Sequence, residues 1–281
     1  MSSLYRNSTT SPYSFLHMTA IGKVESLWRY PVKSMAGEEL EQMFVGFAGV
    51  YGDRLFAFHS SASRKGLPFL TAREQSRMLL YRPLFRNPEK AAAPPNLTEA
   101  EKLAPGATPI YGDRDDLMLD VKTPEGTTVA IDDPKLIEML SKEIDGQHRL
   151  RLMRSERALT DCRPISLLAL QSVGELARET GCAIDKRRFR ANIYLDLTNS
   201  EGFAEDRLVG RFLRFGAKVT LLILERDPRC MMITLDPDTA ERTPEVLKAV
   251  AQSHEGMMGL YAAVLAEGMI QPGDAVELLD D

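Results

Sequence analysis

Cys230 is the residue of this 281-residue chain whose surroundings most favour chemistry. It follows Arg226-Asp227-Pro228-Arg229, so two arginines lie within four positions of its thiol. Nearby cations favour the thiolate, the form that acts as a nucleophile, carries a persulfide or binds a soft transition metal. No histidine is near in sequence to act as a base, which argues against a protease-like nucleophile. The alternative is a buried structural cysteine, because free cysteines are among the most buried residues.

The remaining cysteines and the histidines do not indicate a disulfide or a zinc site. Cys162, Cys182 and Cys230 contain no C-x-x-C pair, and their odd number favours a reducing compartment. The four histidines have no metal-ligand spacing. We therefore expect a cytoplasmic protein without zinc, in which Cys182 packs after the helix-ending Gly181.

Arg190 and Asn192 are candidates for binding an anionic heterocycle. They lie two apart in a predicted strand, so their side chains are expected on the same face. Arginine offers a planar fork to phosphate, and asparagine offers both a donor and an acceptor to a polar ring. The alternative is a solvated edge of the strand.

Lys33, Ser34 and Arg54 are further candidates for binding phosphate. Lys33 and Ser34 follow Tyr30-Pro31-Val32 in a predicted loop, where free backbone amides suit an anion. Arg54 comes directly after the predicted turn Gly52-Asp53. Taken alone, the Lys33-Ser34 segment favours an ordinary loop, and Arg54 favours a surface pair with an acidic residue.

The elements that must position these residues read mainly as strands. Strands are predicted at 21–28, 55–58, 117–121, 127–131, 149–153, 165–170, 189–197, 211–215, 219–225, 231–235 and 276–279, and helices at 134–144, 172–180 and 243–252. Many strands with few helices favour an α+β protein rich in β-barrel structure. No glycine-rich nucleotide motif is present, and no apolar run is long enough to span a membrane.

We predict three parts of the chain from composition and pattern. Residues 1–19 are expected to form a disordered tail, 20–145 an N-terminal β-rich domain and 146–281 a second domain. The tail has no apolar core of a secretory signal, and its single arginine argues against a mitochondrial presequence. Residues 87–109, rich in Ala, Pro, Glu and Lys, are expected to be a surface excursion of unassigned role.

Six short motifs, taken together and in order, resemble one family. They are Tyr-Pro-Val-Lys-Ser at 30–34, Gly-Asp-Arg at 52–54, Phe-Arg-Ala-Asn-Ile at 189–193, Arg-Cys at 229–230, Asp-Pro-Asp-Thr at 236–239 and Pro-Gly-Asp at 272–274. From about residue 20 onward, the chain is similar to the MOSC proteins, named after the C-terminal domain of molybdenum cofactor sulfurase. It is similar in particular to the two-part group that includes the mitochondrial amidoxime-reducing component. The resemblance implies a MOSC β-barrel fold with an N-terminal β-rich domain.

The resemblance also implies a cofactor and the residues that hold it. The cofactor is the molybdenum cofactor (Mo-molybdopterin), without pyridoxal phosphate, and Cys230 matches the metal ligand and catalytic residue. The residues that match cofactor-binding positions are Lys33, Ser34, Arg54, Cys162, Arg163, Arg190, Asn192, Arg229, Cys230 and Tyr261. Cys162 stands where the family more often has a small hydroxyl residue, and Pro228 where a small polar residue is common. We therefore expect different hydrogen bonding at these two positions.

The reaction implied by the resemblance is reduction of small N-hydroxylated compounds, namely amidoximes, hydroxylamines and N-hydroxylated bases. Because the chain has no C-x4-C-x2-C run, the electrons must come from a separate flavin, haem or iron–sulfur protein. A sulfur carrier that uses a Cys230 persulfide is the alternative, and a cofactor-storage module is a third reading. Lys33, Arg190 and Asn192 favour the reductase, because a persulfide carrier needs no cradle for a pterin phosphate.

The charge of the chain is unevenly distributed. Its formal net charge of −5 argues against a nucleic-acid binder that works by bulk charge. Residues 148–190 nevertheless contain ten basic and five acidic residues, a local balance of +5. Arg149, Arg151, Arg154 and Arg157 in this window have no assigned role, and form either a strand face or a docking surface for an acidic electron donor.

Overall fold

The structure is a computed structural model. It describes residues 18–62, 68–100, 102, 114–142, 144 and 149–279. Residues 1–17 of the predicted tail and 103–109 of the predicted excursion therefore lie outside the described residues, whereas Met18 and Thr19 begin the first strand.

Strands dominate the described chain. In chain order they are β1 (Met18–Arg29), β2 (Glu38–Leu40), β3 (Met43–Gly46), β4 (Gly49–Val50), β5 (Phe56–Ser60), β6 (Arg82–Phe85), β7 (Leu119–Lys122), β8 (Thr128–Ala130), β9 (Leu150–Arg154), β10 (Ile165–Ala169), β11 (Ile193–Leu197), β12 (Phe212–Phe215), β13 (Val219–Pro228), β14 (Met257–Ala266), β15 (Gly268–Ile270) and β16 (Ala275–Leu279). The α-helices are α1 (Leu97–Ala100), α2 (Pro134–Lys142), α3 (Leu170–Thr180) and α4 (Pro244–Ser253). Short 3-10 helices lie at Ser76–Leu80, Arg114–Leu117, Lys186–Phe189, Ala204–Leu208 and Met231–Thr234.

Seven strands close into a barrel in the order β11, β10, β14, β13, β12, β16, β1, and β1 pairs back with β11. Every neighbouring pair is antiparallel except β10 and β11. Along β13, Val219, Leu221 and Ile223 are buried and alternate with more exposed residues, as the two-residue period of a strand requires. Such apolar side chains fill the interior of a barrel of this size. The predicted β-barrel-rich fold is confirmed.

A second core lies beside the barrel. It is built around large aromatic side chains such as Phe56, Phe58 and Tyr81. β5 pairs with β9, and β6, β7 and β8 form a three-stranded sheet whose predicted β7–β8 hairpin is confirmed. From the start of the predicted excursion, Ala91 belongs to this core and Leu97 packs against it.

The two cores do not divide the chain at a single point. β1, from the first tenth of the chain, is a barrel strand, whereas β9 pairs with a strand of the second core. Gly22 permits close approach of β1 and β11, because a Cβ atom there would collide with the carbonyl oxygen of Asp196. The boundary at residues 145 and 146 stays a prediction, and the barrel draws strands from both sides of it.

Two predicted helices lie where their end signals place them. α3 ends at Gly181, which has a φ of 66° and so adopts the left-handed conformation that glycine favours. α4 begins at Pro244, directly after Thr243, and proline suits the first helical turn because its missing N–H would have no helical partner there. Within the described residues, no helix combines the length and apolarity needed to cross a membrane.

Two predicted strands were wrong in ways that matter for the site. The apolar stretch predicted as a strand at 231–235 is the 3-10 helix Met231–Thr234. The strand predicted to start at residue 189 starts instead at Ile193, because the 3-10 helix Lys186–Phe189 and a left-handed Arg190 precede it. Arg190 and Asn192 are therefore not neighbours on one strand face. β14 was not predicted, since its Met-, Gly- and Ala-containing sequence has few of the β-branched residues typical of strands.

Candidate cofactor site

A pocket of about 290 Å³ brings together every predicted site residue. It is lined by Lys33, Ser34, Arg54, Cys162, Arg163, Arg190, Asn192, Arg229, Cys230 and Tyr261. These residues come from the loop after β1, the segments before β5 and β10, the approach to β11, the end of β13 and the middle of β14. The pocket therefore forms where one end of the barrel meets the second core. That the ten residues bind a cofactor stays a prediction.

Cys230 lies in this pocket in extended backbone directly before the 3-10 helix Met231–Thr234. Its side chain is partly buried, whereas Cys162 is exposed at the pocket rim. Cys182 lies outside the pocket, after α3, where its thiol contacts the carbonyl oxygen of Thr180 at 3.6 Å. Cys230 is thus the partly buried thiol of the pocket.

The Arg229 guanidinium is held firmly beside Cys230 but keeps one donor unused. Its Nε donates to the carbonyl oxygen of Met258 at 2.6 Å, and its Nη1 donates to that of Phe189 at 3.0 Å. Nη1 also lies 2.8 Å from Asp227 Oδ2. Nη2 is buried and has no hydrogen-bond partner. Gly259 leaves room for it, because a Cβ atom there would lie 2.9 Å from Nη2.

Asp227 and Tyr261 form a polar pair on the same wall of the pocket. Burial raises the pKa of Asp227, and the opposing charge of Arg229 only partly offsets it. Burial and the neighbouring Asp227 carboxyl also raise the pKa of Tyr261, so the phenol stays protonated at neutral pH. The Tyr261 hydroxyl donates to the Asp227 carboxyl, so it has no further hydrogen to donate to a ligand.

Two arginines stack on the buried ring of Tyr30. The Arg190 guanidinium carbon lies 4.3 Å from the ring centroid, and that of Arg54 lies 4.6 Å from it. Arg54 is also tied down, since its Nη1 donates to Asp53 and its Nη2 donates to the Arg190 carbonyl oxygen at 3.1 Å. Arg190 Nη2 is buried without a partner. Burial, reinforced by the charge of Arg54, lowers the pKa of Arg190 to about 10, so it still carries its charge at neutral pH.

Lys33 and Asp161 form the most fully satisfied part of the pocket. Lys33 Nζ donates to Asp161 Oδ1 at 2.6 Å and to the carbonyl oxygen of Leu159 at 2.9 Å. Arg73 Nη2 donates to the other carboxylate oxygen of Asp161 at 2.8 Å. Burial lowers the pKa of Lys33, although the Asp161 charge opposes the shift. Burial alone would raise the pKa of Asp161, but Lys33 and Arg73 hold it below its usual value.

Three residues of the pocket adopt a left-handed backbone without being glycine. The φ angles are 67° for Ser34, 44° for Arg54 and 54° for Arg190. This conformation is uncommon for residues with a Cβ atom and costs of order 1 kcal/mol or more each. Their gathering around one pocket is typical of a functional site, where the surrounding structure holds strained residues in place.

Asn192 is used mainly to join strands. Its Oδ1 accepts from the backbone N–H and the hydroxyl of Ser166, at 3.3 and 3.2 Å, and its Nδ2 donates to the carbonyl oxygen of Trp28 at 3.2 Å. Only the second hydrogen of Nδ2 remains for a ligand. Arg163 is exposed at the rim, where its Nε donates to Glu225 at 2.7 Å. Neither side chain is left as open to a ligand as Arg190.

Comparisons with protein families identify both halves of the chain. The MOSC domain matches residues 154–277, and the MOSC N-terminal beta barrel domain matches residues 21–98. The chain belongs to the MOSC family. The two matches, in this order, give this MOSC protein the two-part architecture that its motifs predicted. No curated protein matches this MOSC protein.

Three solved structures similar to this MOSC protein come from bacteria. The YUAD protein from Bacillus subtilis shares 15% identity and a TM-score of 0.46, over 93% of this chain and 97% of that one. YiiM from Geobacillus stearothermophilus shares 22% identity and a TM-score of 0.33, over 42% of this chain and 55% of that one. YiiM from Escherichia coli shares 19% identity and a TM-score of 0.32 over the same shares.

The side chains of the pocket fit the molybdenum cofactor. Arg190 Nη2 and Arg229 Nη2 are buried donors without partners, and a phosphorylated pterin would bring the acceptors they lack. Within the described residues, no group of three or more His, Cys, Asp or Glu side chains could hold a metal ion. A metal brought in by a cofactor would need few protein ligands, and Cys230, the partly buried thiol of the pocket, is the residue that would hold it.

Sequence reasoning missed several polar residues of the pocket. Asp161 and Asp227 lie within motifs that it singled out, beside Cys162 and Arg229, so their positions were visible although their roles were not. Arg73 reaches the pocket from the loop before the 3-10 helix Ser76–Leu80, and no pattern in the sequence pointed to it.

Proposed function

We propose that this MOSC protein binds the molybdenum cofactor and uses it to reduce N-hydroxylated compounds. The observation that carries the proposal is a single partly buried thiol, Cys230, in one pocket with two arginine donors that have no hydrogen-bond partner among the described residues. An arginine buried with an unused donor is costly, and an anionic ligand removes that cost. A cysteine that served only for packing would require no such surroundings.

Different residues of the pocket are proposed to bind the metal and the anionic part of the cofactor. Cys230 would supply the thiolate ligand, and Arg229 would offer its unpartnered Nη2 to an anion in the same pocket. Arg190 and Arg54, stacked on Tyr30, face the anionic part of the cofactor. The Tyr261 hydroxyl donates to Asp227 and would offer a ligand its oxygen as an acceptor. When bound, the cofactor supplies a centre that exchanges two electrons and accepts an oxygen atom from the substrate.

The overall reaction converts R–NH–OH, two electrons and two protons into R–NH₂ and water. A separate flavin, haem or iron–sulfur protein is proposed to deliver the electrons, because the chain has no iron–sulfur motif of its own. The pocket opens to solvent at Cys162 and Arg163, which gives water and small substrates access.

Metal analysis tests the proposed ligand directly. The protein is purified from a host that makes the cofactor, and molybdenum per chain is measured for wild type, Cys230→Ser and the control Cys182→Ser. We expect molybdenum in wild type and in the Cys182 variant, and loss of at least about tenfold in the Cys230 variant because its single protein ligand is gone. Metal-free wild type from a competent host contradicts the proposal, and equal metal in Cys230→Ser contradicts the ligand assignment.

Activity then tests the proposed reaction. Loaded wild type should reduce benzamidoxime when a reduced dye donates the electrons, and Cys230→Ser should not. A molybdenum-loaded protein inactive on amidoximes, hydroxylamines and N-hydroxylated bases would indicate storage. A metal-free protein with cyanide-releasable sulfur on Cys230 would indicate the sulfur carrier.

A further inference from the structure

A second cavity adjoins the candidate cofactor pocket. Its volume is about 540 Å³, within the range of small-molecule sites and larger than the first pocket. Arg188, Arg190 and Met232 line both cavities and so form the wall between them. The rest of the second cavity is lined from the end of β1, from β2 and β6, from the β7–β8 turn and from the loop at 235–238.

Trp28 indicates that the second cavity takes a ligand of its own. Its indole Nε1 is buried and has no hydrogen-bond partner in the part of the chain that the structure describes. Leaving such a donor unpaired costs about 1–3 kcal/mol. Trp28 lines the second cavity but not the cofactor pocket, so a group held beside Cys230 does not supply the missing acceptor. The rings of Trp28 and Tyr30 lie 6.5 Å apart at 25°, which gives the cavity an aromatic wall.

The wall shared with the first pocket presents donors. Arg188 is only 7% exposed, and its Nη1 donates to the carbonyl oxygen of Thr234 at 2.8 Å while its Nη2 donates to Asp236 at 3.1 Å. Its Nε is buried without a partner, as is Nη2 of Arg190. Trp28 Nε1 and Arg188 Nε therefore both lack acceptors among the described residues, and a ligand that satisfies them must carry more than one, including an anionic group to suit the arginine.

The mouth of the second cavity is partly apolar. Leu84 of β6 lines the cavity and is 52% exposed, so it gives the mouth an apolar edge. Arg82 on the same strand reaches across to Asp238, with 3.8 Å between Nη2 and Oδ1. The cavity thus has an apolar edge at Leu84, an aromatic side chain at Trp28 and a cationic wall at Arg188. These surfaces suit a planar ring that carries a phosphate.

We propose that the second cavity binds a nucleotide, with the base beside Trp28 and the phosphate toward Arg188. Two sources share this chemistry: a free nucleotide, and the nucleotide part of a dinucleotide form of the cofactor, which Arg190 would join to the first pocket. The inference goes beyond the proposed reductase and does not depend on molybdenum.

Nucleotide release identifies the source. The full-length protein from a cofactor-competent host is denatured, and the released nucleotides are measured before and after acid hydrolysis. Release on denaturation alone supports a free nucleotide, whereas release only after hydrolysis supports a dinucleotide cofactor. Molybdenum is measured on the same preparation, so failure of the reductase proposal is visible separately.

Trp28 provides the second readout, because it is the only tryptophan in the chain. If the purified protein carries no nucleotide, titration with AMP, CMP, GMP and UMP should change its fluorescence saturably. Leu84→Glu should weaken the response to the best of them, or lower the nucleotide carried, by about tenfold or more, because a carboxylate at the mouth repels phosphate. Leu265→Glu is the matched control, because Leu265 of β14 is 47% exposed and lies outside both cavities. This variant should leave the fluorescence response and the nucleotide content unchanged.

Two results overturn this proposal. One is a protein that releases no nucleotide and whose Trp28 fluorescence responds to none of the four. The other is binding that Leu84→Glu and Leu265→Glu leave equally intact, which would place the nucleotide elsewhere.

Discussion

The cofactor pocket has two sides that hold similar charges in different ways. On the paired side, Lys33 and Arg73 share the carboxylate of Asp161. On the open side, Arg190 and Arg229 each keep a buried Nη2 without a partner. A ligand reaches the open side without breaking any bond within the protein, but on the paired side it must compete with Asp161. The open side should therefore dominate the affinity for an anionic cofactor, and the paired side should mainly stabilise the fold.

The largest expected effect comes from removing an open-side cation. Arg190→Met should lower cofactor content by at least about tenfold, because it deletes a charge and a donor that the anion would use. Folding stability should hold or rise, since a buried charge without an ion-pair partner is replaced by an apolar side chain. Molybdenum analysis and urea unfolding check the two parts. Normal cofactor content together with lost stability would reverse the assignment of the open side.

Asp161→Asn probes the paired side. At neutral pH the free energy of unfolding should fall by only about 1 kcal/mol, because Asp161 is 44% exposed and solvent screens the pair. The anion affinity of the metal-free pocket should rise about fivefold, since one negative charge is gone. Phosphate titration by calorimetry measures the second effect. Unchanged or weaker phosphate binding would show that Asp161 does not compete with the ligand.

The pH dependence of the same variant provides a direct check on the pairing. Lys33 and Arg73 outweigh burial and lower the pKa of Asp161 in the folded state. Its contribution to stability is therefore present above the unfolded pKa, about 3.9, and is lost as the pH falls through the lower folded value. The stability difference between wild type and Asp161→Asn should shrink below about pH 4. A difference that stays constant from pH 7 to pH 3 would contradict the proposed pairing.

Arg163→Ala should have the smallest effect. Arg163 is half exposed at the rim and pairs with Glu225, which is equally exposed. Because such a pair is worth little in water, we expect cofactor content within about twofold of wild type. The same molybdenum assay serves as the measurement. A loss of cofactor content as large as that expected for Arg190→Met would show that Arg163 at the rim also contributes to binding the anion.

Sequence motifs brought the right residues together but not in the right local structure. Lys33, Arg54, Cys230 and Tyr261 come from distant parts of the chain, and only their resemblance to a family placed them in one pocket before the structure did. The geometry of Arg190 was not predictable, since its left-handed φ follows from the 3-10 helix before it and not from its own residue type.

The difference between the paired and open sides was also beyond the sequence. Whether an arginine donor has a partner depends on backbone carbonyls and carboxylates from other segments, as for Arg229 with Met258 and Phe189. The β-rich fold was easier to predict, because two-residue alternation such as that of β13 is a local pattern. A strand was predicted where Met231–Thr234 forms a 3-10 helix, because a short apolar run has no periodicity that separates a strand from a helix.

The first strand of the barrel, β1, pairs with its last strand in chain order, β16, so the barrel can close only late in synthesis. β1 lies between β11 and β16, so its partners are the last strand of the chain and one that follows it by more than 160 positions. When β14 has just been synthesised, the sheet still lacks β16, one of the seven strands of the barrel. Closure must then wait for the final residues, and contacts this distant in sequence form slowly. A fragment beginning at residue 146 would leave the edges of β11 and β16 unpaired and prone to self-association.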